Sequence, residues 1–503
     1  MIRVRDLTVR YPGASAPALH DLTLDVPTGE LVLLLGPSGS GKSTLALTLA
    51  GLIPHSVFAE VQGDVEVDGV RPLLAGPAEC ATHAGLLFQD PQSGFATLTV
   101  EDEIAFGLEN LCVPRNRLRP RIRAALAATG MARFAPRPLA MLSAGEAQRV
   151  ALAALLAMDP PVLLLDEPTA HLDPAATREF FSTLRGLKRS RTIILIEHKL
   201  DACLPLADRV ALLTRDGGRL AEGVPGPTLR RFRKAILESG AWLPQSLEPK
   251  TRPRPRRVTA SSRRANPAVS VRGLSFAYPG GPPILRRLDL EVPAGSFTAL
   301  VGPNGSGKST LAKAMMGLLP RGIEGDIRVF DQRVGDLDPR ELAGQVGFVF
   351  QNPEHQFVRD TVAEDVAYSL EVRQETSASV RVQVHEILKR FGLLGLEDRN
   401  PFTLSQGEKR RLSVAEMLAA GQRLLILDEP TYGQDRKSTF ALMDSLAELN
   451  RRGVTIIVIT HDVRFVRRYT DTAAVLVDGR IAFQGSPGQL FRRPVILSRA
   501  RLR

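Results

Sequence analysis

Cysteine is scarce in this 503-residue chain. Cys80, Cys112 and Cys203 have neither metal-ligand nor disulfide spacing, which argues against a zinc module or an oxidised scaffold and fits a reducing cytoplasm. Long apolar runs are missing too. The longest candidate, residues 151–165, is broken by Asp159-Pro160-Pro161, so no membrane-spanning helix is expected. The opening Met1-Ile2-Arg3-Val4-Arg5 lacks the apolar core of a signal peptide. Two stretches have no acidic residue: residues 249–264 hold seven basic side chains, and residues 491–503 hold five. Taking these twelve from the net charge of +11 leaves −1, which assigns the excess to a linker and a tail, not to a folded face. Such runs read as solvated arms, with attraction to an anionic membrane surface next. No aromatic residue interleaves the linker charges, so a base-stacking platform is not supported and no nucleic-acid partner is expected.

What the chain does have, it has twice. Gly36-Pro37-Ser38-Gly39-Ser40-Gly41-Lys42-Ser43-Thr44 recurs as Gly302-Pro303-Asn304-Gly305-Ser306-Gly307-Lys308-Ser309-Thr310. Each copy fits the P-loop pattern and follows an apolar run, residues 31–35 and 297–301, that reads as a buried strand. Successive backbone N–H groups of residues 39–42 would surround phosphate oxygens, helped by the positive end of the next helix. Lys42 and Lys308 should reach the β- and γ-phosphates, with Ser43 and Ser309 on Mg²⁺. Hydrophobic strands ending in paired acids follow: Leu163-Leu164-Leu165-Asp166-Glu167 and Leu425-Ile426-Leu427-Asp428-Glu429. Neighbouring side chains at a strand end diverge, so the acids can divide the work. Asp166 and Asp428 would serve the Mg²⁺ shell. Glu167 and Glu429 would polarise the attacking water, a role typically worth roughly 10²–10⁴-fold.

The duplication is nearly in register. Lys42 to Lys308 spans 266 residues; Gln89 to Gln351, Ser143 to Ser405 and Glu167 to Glu429 each span 262; His198 to His461 spans 263. Each half is therefore expected to have the same α/β fold: a mainly parallel sheet core, an antiparallel β-subdomain and a helical subdomain. Alternation in residues 22–26 and 288–292 indicates half-exposed antiparallel strands. The almost wholly apolar residues 162–165 and 192–196 indicate central parallel strands. A mainly helical insert is expected between about residues 95 and 140, and again between about 358 and 402. Residues 1–243 form the first domain and 268–488 the second. Residues 244–267, rich in Pro, Arg and Ser, read as an extended mobile tether, and 489–503 as a basic tail.

Each half resembles an ATP-binding cassette domain. Beyond the P-loop the resemblance rests on Leu142-Ser143-Ala144-Gly145-Glu146 and Leu404-Ser405-Gln406-Gly407-Glu408, similar to the family signature LSGGQ but departing at the third and fifth positions. Gln89 and Gln351 match the Q-loop, which the resemblance places near the metal. His198 and His461 match the switch histidine, and Tyr11 and Tyr278, each before Pro-Gly, match the aromatic that stacks on adenine. Head-to-tail assembly in the family implies intramolecular pairing of the two cassettes into two composite ATP sites. One would join Lys42, Gln89, Asp166, Glu167 and His198 to Ser405 and Gly407. The other would join Lys308, Gln351, Asp428, Glu429 and His461 to Ser143 and Gly145. Every catalytic residue type is kept twice, so both sites are expected to hydrolyse ATP. The loops after the acids, residues 170–173 and 432–435, differ and allow unequal rates.

The segment after the second Q-loop, Asn352-Pro353-Glu354-His355-Gln356-Phe357, with Thr361-Val362-Ala363-Glu364-Asp365, closely resembles the ATPase subunits of energy-coupling factor importers of vitamins and transition-metal ions. The first half departs from it, with Gly94 where the second has Gln356. The resemblance implies a peripheral ATPase on the cytoplasmic face of the membrane. Its partners would be an integral membrane coupling subunit and a membrane substrate-binding subunit. A fused chain suggests a thiamine-precursor or other vitamin system. Two rivals share the duplicated architecture. A soluble translation factor would need a long helical linker, which Pro244, Pro249, Pro253, Pro255 and Pro267 oppose at about 3 kcal/mol per interior proline. A duplicated sugar-importer ATPase usually carries one degraded site, and neither copy is degraded here.

Overall fold

The computed structural model describes every residue except 92–93, 171, 250–265, 320–321, 372–376, 420, 432–433 and 503. The chain separates into two compact units: Met1–Pro249 with Asp435–Lys437, and the remainder.

In the first unit the strands Leu31–Leu35, Val162–Asp166 and Thr192–Ile196 are apolar almost throughout, and only Asp166 is not fully buried. Such strands need cover on both faces, so they form the middle of a parallel sheet. Its order is Ala84–Leu87, Val162–Asp166, Thr192–Ile196, Leu31–Leu35, Arg209–Leu213 and Arg219–Gly223, with only the last strand antiparallel. The ends of three adjacent strands thus deliver residues 36–44, 166–167 and 197–198 to one edge, where ligands of open α/β sheets bind. A second sheet pairs Ile2–Arg10 with Leu19–Val26 and Glu60–Val67, all antiparallel. Here buried and exposed residues alternate, because one face meets the core and the other meets water.

The helical insert consists of Val100–Asn110 and Arg115–Ala128, closed by Ala144–Met158, a helix beyond the expected limit near residue 140. Ile104, Leu108, Ile122, Leu126 and Val150 share one buried cluster. Each such side chain contributes on the order of 1.5–3 kcal/mol when taken from water. The last helix therefore belongs to the insert by packing, although its first residues read as a loop motif.

The second unit repeats the plan. Its large sheet runs Val346–Val349, Leu424–Asp428, Thr455–Ile459, Phe297–Val301, Thr472–Val477 and Arg480–Gly485. Its β-subdomain orders Pro283–Pro293, Pro267–Ala277, Glu324–Val329 and Gln332–Arg333, and its insert carries Val362–Glu371, Ser377–Phe391 and Gln406–Ala419.

Most of the expected tether, residues 250–265, lies outside the described residues. The expected basic tail is not a solvated arm. Residues Pro494–Arg499 form a helix, Leu490, Leu497 and Leu502 are buried, and Arg467 lies 4.0 Å over the Phe491 ring. Reading charge alone overlooked the apolar residues between the arginines. Among the described residues no helix is long and apolar enough to cross a membrane.

Candidate nucleotide-binding sites

Each P-loop is shaped by glycines in left-handed backbone. Gly41 has φ 78°, and a Cβ there would come 2.3 Å from the Ala18 carbonyl oxygen. Gly307 has φ 102°, with Leu285 Cδ2 2.9 Å from such an atom. At Gly41 backbone shape and backbone contact both oppose a side chain; at Gly307 the left-handed shape opposes one, and Leu285 would have to give way. The helices Lys42–Leu49 and Lys308–Met315 start at once after these turns. Lys42 Nζ donates to the carbonyls of Gly36 (3.1 Å) and Pro37 (2.8 Å). Lys308 does the same with Gly302 and Pro303, both at 2.9 Å. Burial lowers the Lys42 pKa, with nearby Glu167 and Asp166 opposing the drop. Ser40, Thr44, Ser306 and Thr310 are buried beneath the loops, whereas Ser38, Gly39, Asn304 and Gly305 are not.

The paired acids part as the sequence indicated. Asp428 Oδ2 accepts from Ser309 Oγ at 2.6 Å, and Ser43 likewise bonds Asp166. Burial lifts the Asp166 carboxyl to about 6 in spite of that bond, and burial raises Asp428 too. The next residue turns away. Glu167 (φ 47°) and Glu429 (φ 46°) occupy left-handed backbone, which costs a non-glycine residue of order 1–3 kcal/mol. The turn aims Glu167 Oε1 at His198 Nε2 (2.8 Å) and lets Oε2 accept from Gln89 Nε2 (3.1 Å). Glu429 Oε1 lies 3.3 Å from His461 Nε2. Burial disfavours protonation of His198, but the charge of Glu167 and its hydrogen bond prevail and raise the pKa. The first unit therefore brings Lys42, Ser43, Gln89, Asp166, Glu167 and His198 to one place. In the second, Lys308, Ser309, Asp428, Glu429 and His461 gather likewise, while Gln351 is exposed and its main-chain carbonyl accepts from Arg410 Nη2 at 2.5 Å.

The signature departures have a local reason. Ser143 caps the helix Ala144–Met158 in a capping box: its N–H and its hydroxyl each donate to Glu146 Oε2 at 2.8 Å, and its oxygen accepts the Glu146 N–H. Ser405 and Glu408 repeat this, with distances of 2.9, 2.8 and 3.4 Å. Glutamate at the fifth position thus secures the helix start. Gly145 is different from the P-loop glycines. A Cβ there would sit 3.5 Å from Leu172 and 3.6 Å from Ala176, ordinary contacts. The two tyrosines also differ. Tyr11 exchanges a 3.1 Å hydrogen bond with Thr44, whereas Tyr278 stands edge-on to Phe276, centroids 5.0 Å apart.

Three side chains escaped the sequence reading. Buried Glu197 accepts the N–H groups of His198 (2.8 Å) and Lys199 (3.1 Å), and its other oxygen accepts Thr169 Oγ1 at 2.6 Å. Lys199 Nζ donates to the carbonyls of Thr169 (2.6 Å) and Leu172 (2.7 Å). Together they tie the loop after Glu167 to the histidine loop. Thr460 and Asp462 occupy the matching positions of the second unit, and Asp462 pairs with Arg464 instead. Arg410 Nη1 holds the Phe350 carbonyl at 2.5 Å. A charged residue directly after an apolar strand was the available signal for Glu197. The expected contrast of the loops 170–173 and 432–435 falls partly on His171, Tyr432 and Gly433, outside the described residues.

Known proteins resemble this chain along nearly its whole length. The ABC transporter family model matches residues 19–170 and 285–432. A Bacillus subtilis protein that carries the name HMP/thiamine import ATP-binding protein YkoD is 39% identical over 98% of this chain and 92% of its own length. An ABC transporter ATP-binding protein of Methanosarcina mazei is 32% identical over the full chain and 92% of its own length. The structure of cbiO1 from Clostridium perfringens, described as part of the ABC transporter complex cbiONQ, is 31% identical over 48% of this chain and 96% of its own, with a TM-score of 0.43. Two family matches, one on each half, and relatives aligned from end to end lead to one conclusion: the chain belongs to the ABC transporter family, as a tandem-cassette ATPase that couples ATP hydrolysis to transport.

Proposed function

We propose that this chain is the ATPase subunit of an energy-coupling factor importer, acting at the cytoplasmic face of the membrane on a vitamin of the thiamine-precursor type carried by separate membrane subunits. The observation that carries the reading is the alignment with the Bacillus subtilis import protein over 98% of the chain. The segment after Gln351 supports it. Gln356 Nε2 donates to the Ser413 carbonyl (2.9 Å) and to Glu416 Oε2 (2.8 Å), and Lys409 Nζ bonds Glu354 Oε1 at 2.5 Å. A membrane subunit that pressed on this segment would move the helix Gln406–Ala419, which begins at the signature.

In this reading ATP lies on the backbone N–H groups of residues 39–42 and 305–308, with Lys42 and Lys308 swung onto its terminal phosphates. A buried carboxylate beside a serine hydroxyl, with Asp428 and Ser309 2.6 Å apart, suits a hard divalent cation that completes its shell with water and phosphate oxygens. Ser43, Asp166, Ser309 and Asp428 would hold Mg²⁺, with Gln89 and Gln351 near it, and the ion when bound would supply positive charge to offset that of the phosphates. Glu167 and Glu429 orient the attacking water as general bases. His198 and His461 fix those carboxylates and bond the γ-phosphate. Gly145 and Gly407 have room around them within their own unit, so their lack of a side chain serves an approach from outside. That supports the crossed arrangement, in which each signature completes the other cassette's site.

Purification from native membranes tests the partner, and growth tests the cargo. Integral membrane subunits should co-purify, and a deletion strain should fail to grow on a supplied thiamine precursor. Co-sedimentation with ribosomes and no membrane subunit would replace this reading with the translation alternative.

A further inference from the structure

The near-neutral sum outside the linker and tail hides a strongly basic folded stretch. Residues 111–145 carry seven arginines and no aspartate or glutamate. Five of them, Arg115, Arg117, Arg119, Arg121 and Arg123, fall within nine residues at the start of the helix Arg115–Ala128. Four of the five are exposed and Arg121 is half-buried. The helix buries Ile122, Ala125 and Leu126, and before Ile122 only half-buried Leu118 packs against the same cluster, so most of the arginine-bearing half faces water. None of the five makes an ion pair among the described residues, whereas Arg137 pairs with Glu146. The matching stretch of the second cassette, residues 373–407, balances five basic residues against four acidic ones. The feature belongs to the first cassette alone.

These charges do not help the helix to form. Arginines in the first turn face the positive end of the macrodipole. Like charges four apart, as in Arg115, Arg119 and Arg123, repel each other. Their counter-charge must come from outside the fold. We infer that this helix is a docking face for anionic phospholipid headgroups. Arg115, Arg119 and Arg123, four apart, share one side of the helix, and Arg117 and Arg121 fall on the other, so a flat surface meets a row of three charges and not a fork around one carboxylate. A plane of anionic headgroups matches such a row, and a helix with four to eight basic residues is a recognised form for it. The chain acts in transport while none of its described helices crosses a membrane, so a membrane surface is close at hand. Nucleic acid fits poorly. The only aromatic ring in the stretch, Phe134, is already covered by Arg133 at 4.8 Å and Arg137 at 5.3 Å, leaving no stacking platform.

Each arginine at an anionic surface changes binding about fivefold, so three engaged together give about 100-fold. The test is co-sedimentation of the purified full chain with vesicles of neutral phosphatidylcholine, with and without about 30% phosphatidylglycerol as the anionic lipid. The wild type should bind only the anionic vesicles and release them as salt rises. The variant R115Q/R117Q/R119Q/R123Q should lose about 100-fold in affinity while its basal ATPase activity and circular dichroism stay unchanged. A variant with Arg252, Arg254, Arg256 and Arg257 changed to Gln controls for the linker and should lose less. The inference falls if the wild type ignores anionic vesicles, or if the linker variant alone abolishes binding. It falls equally if the helix variant binds vesicles like the wild type but loses affinity for single-stranded RNA or an acidic peptide.

Discussion

Replacing Asp166 by asparagine is expected to stabilise the ligand-free first cassette and to stop its turnover. The carboxyl sits at the end of the strand Val162–Asp166, where burial lifts it from the usual 3.8 to about 6 although Ser43 donates to it. At neutral pH the folded chain therefore holds a carboxylate that would be better solvated in the unfolded chain. The gap from 3.8 to about 6 corresponds to ~3 kcal/mol. The folded state binds this proton more tightly, so between about pH 6 and pH 4 stability rises as pH falls; above that window the whole cost is present. Asparagine keeps the shape and can still accept from Ser43 without the charge. With a urea slope of roughly 3 kcal/mol/M, a gain of ~2–3 kcal/mol moves the midpoint by about 1 M. The chain's single tryptophan, Trp242, is buried in the first unit and lines a narrow gap with Gly36, Lys42 and His198, so its fluorescence reports this unit. At pH 7.5 the Asp166→Asn midpoint should lie above the wild type, and near pH 4 the two should converge. An unchanged or lower midpoint at pH 7.5, or a gain that persists undiminished at pH 4, would refute the argument.

Four further outcomes follow from the same geometry. Glu167→Gln with Glu429→Gln should still bind ATP but hydrolyse it roughly 10²–10⁴-fold more slowly; unchanged turnover would remove both from the water-activating role. In the single Glu167→Gln variant, the His198 imidazole, followed by its NMR titration, should lose the carboxylate that raises its pKa and titrate at lower pH. The sign for stability follows: the His198–Glu167 attraction is fully present below the usual histidine value of 6.5 and fades as pH rises through the raised folded value, and this dependence should vanish in the variant. Lys199→Met leaves the carbonyls of Thr169 and Leu172 short of a donor, at about 1–3 kcal/mol, so amide exchange in the loop around them should accelerate and the urea midpoint should fall by roughly 0.3–1 M. Joining Lys42→Ala to Ser405→Arg should silence one site and spare the other, and loss of both in a nucleotide-trapping assay would overturn the crossed arrangement.

Much of this protein was legible because its signals are local. The apolar strands announce themselves, since Leu31–Leu35 and Phe297–Val301 could only be buried. The P-loop glycines are dictated by backbone shape at Gly41 and Gly307. The divergence of Asp166 from Glu167 follows from the alternation of a strand end, although the left-handed turn at Glu167 is a tertiary matter that no spacing conveys. What escaped depends on residues far apart in the chain. The tie of Glu197 and Lys199 to Thr169 and Leu172 exists only after two strands lie side by side. The basic helix was concealed by adding charges over the whole chain, which cancels a folded arginine face against acids elsewhere. The tail was misread because five basic residues drew attention away from Leu490, Leu497 and Leu502.

The two cassettes repeat the same residue types at their candidate sites, so one source of unequal rates would be how firmly those groups are held. In the first, the Glu167 carboxylate is engaged by His198 at 2.8 Å and Gln89 at 3.1 Å, and Glu197 with Lys199 fixes the loops on either side. In the second, His461 stands 3.3 Å from Glu429, and Thr460 and Asp462 occupy the places of Glu197 and Lys199, with Asp462 turned to Arg464. Catalysis by a positioned base is sensitive to such differences, because a misplacement of about 1 Å can cost on the order of 10²-fold. The Glu197–Lys199 tether, which Thr460 and Asp462 do not reproduce among the described residues, is the one difference that makes the first cassette the more preorganised before nucleotide arrives. On this argument the Glu167→Gln single variant should lose more of the membrane-free basal activity than the Glu429→Gln single variant. Docking of a membrane subunit on the segment around Gln356 should raise turnover chiefly at the site that Glu429 serves. Equal losses in the two single variants, with and without membrane subunits, would mean that these tethers do not set the rates.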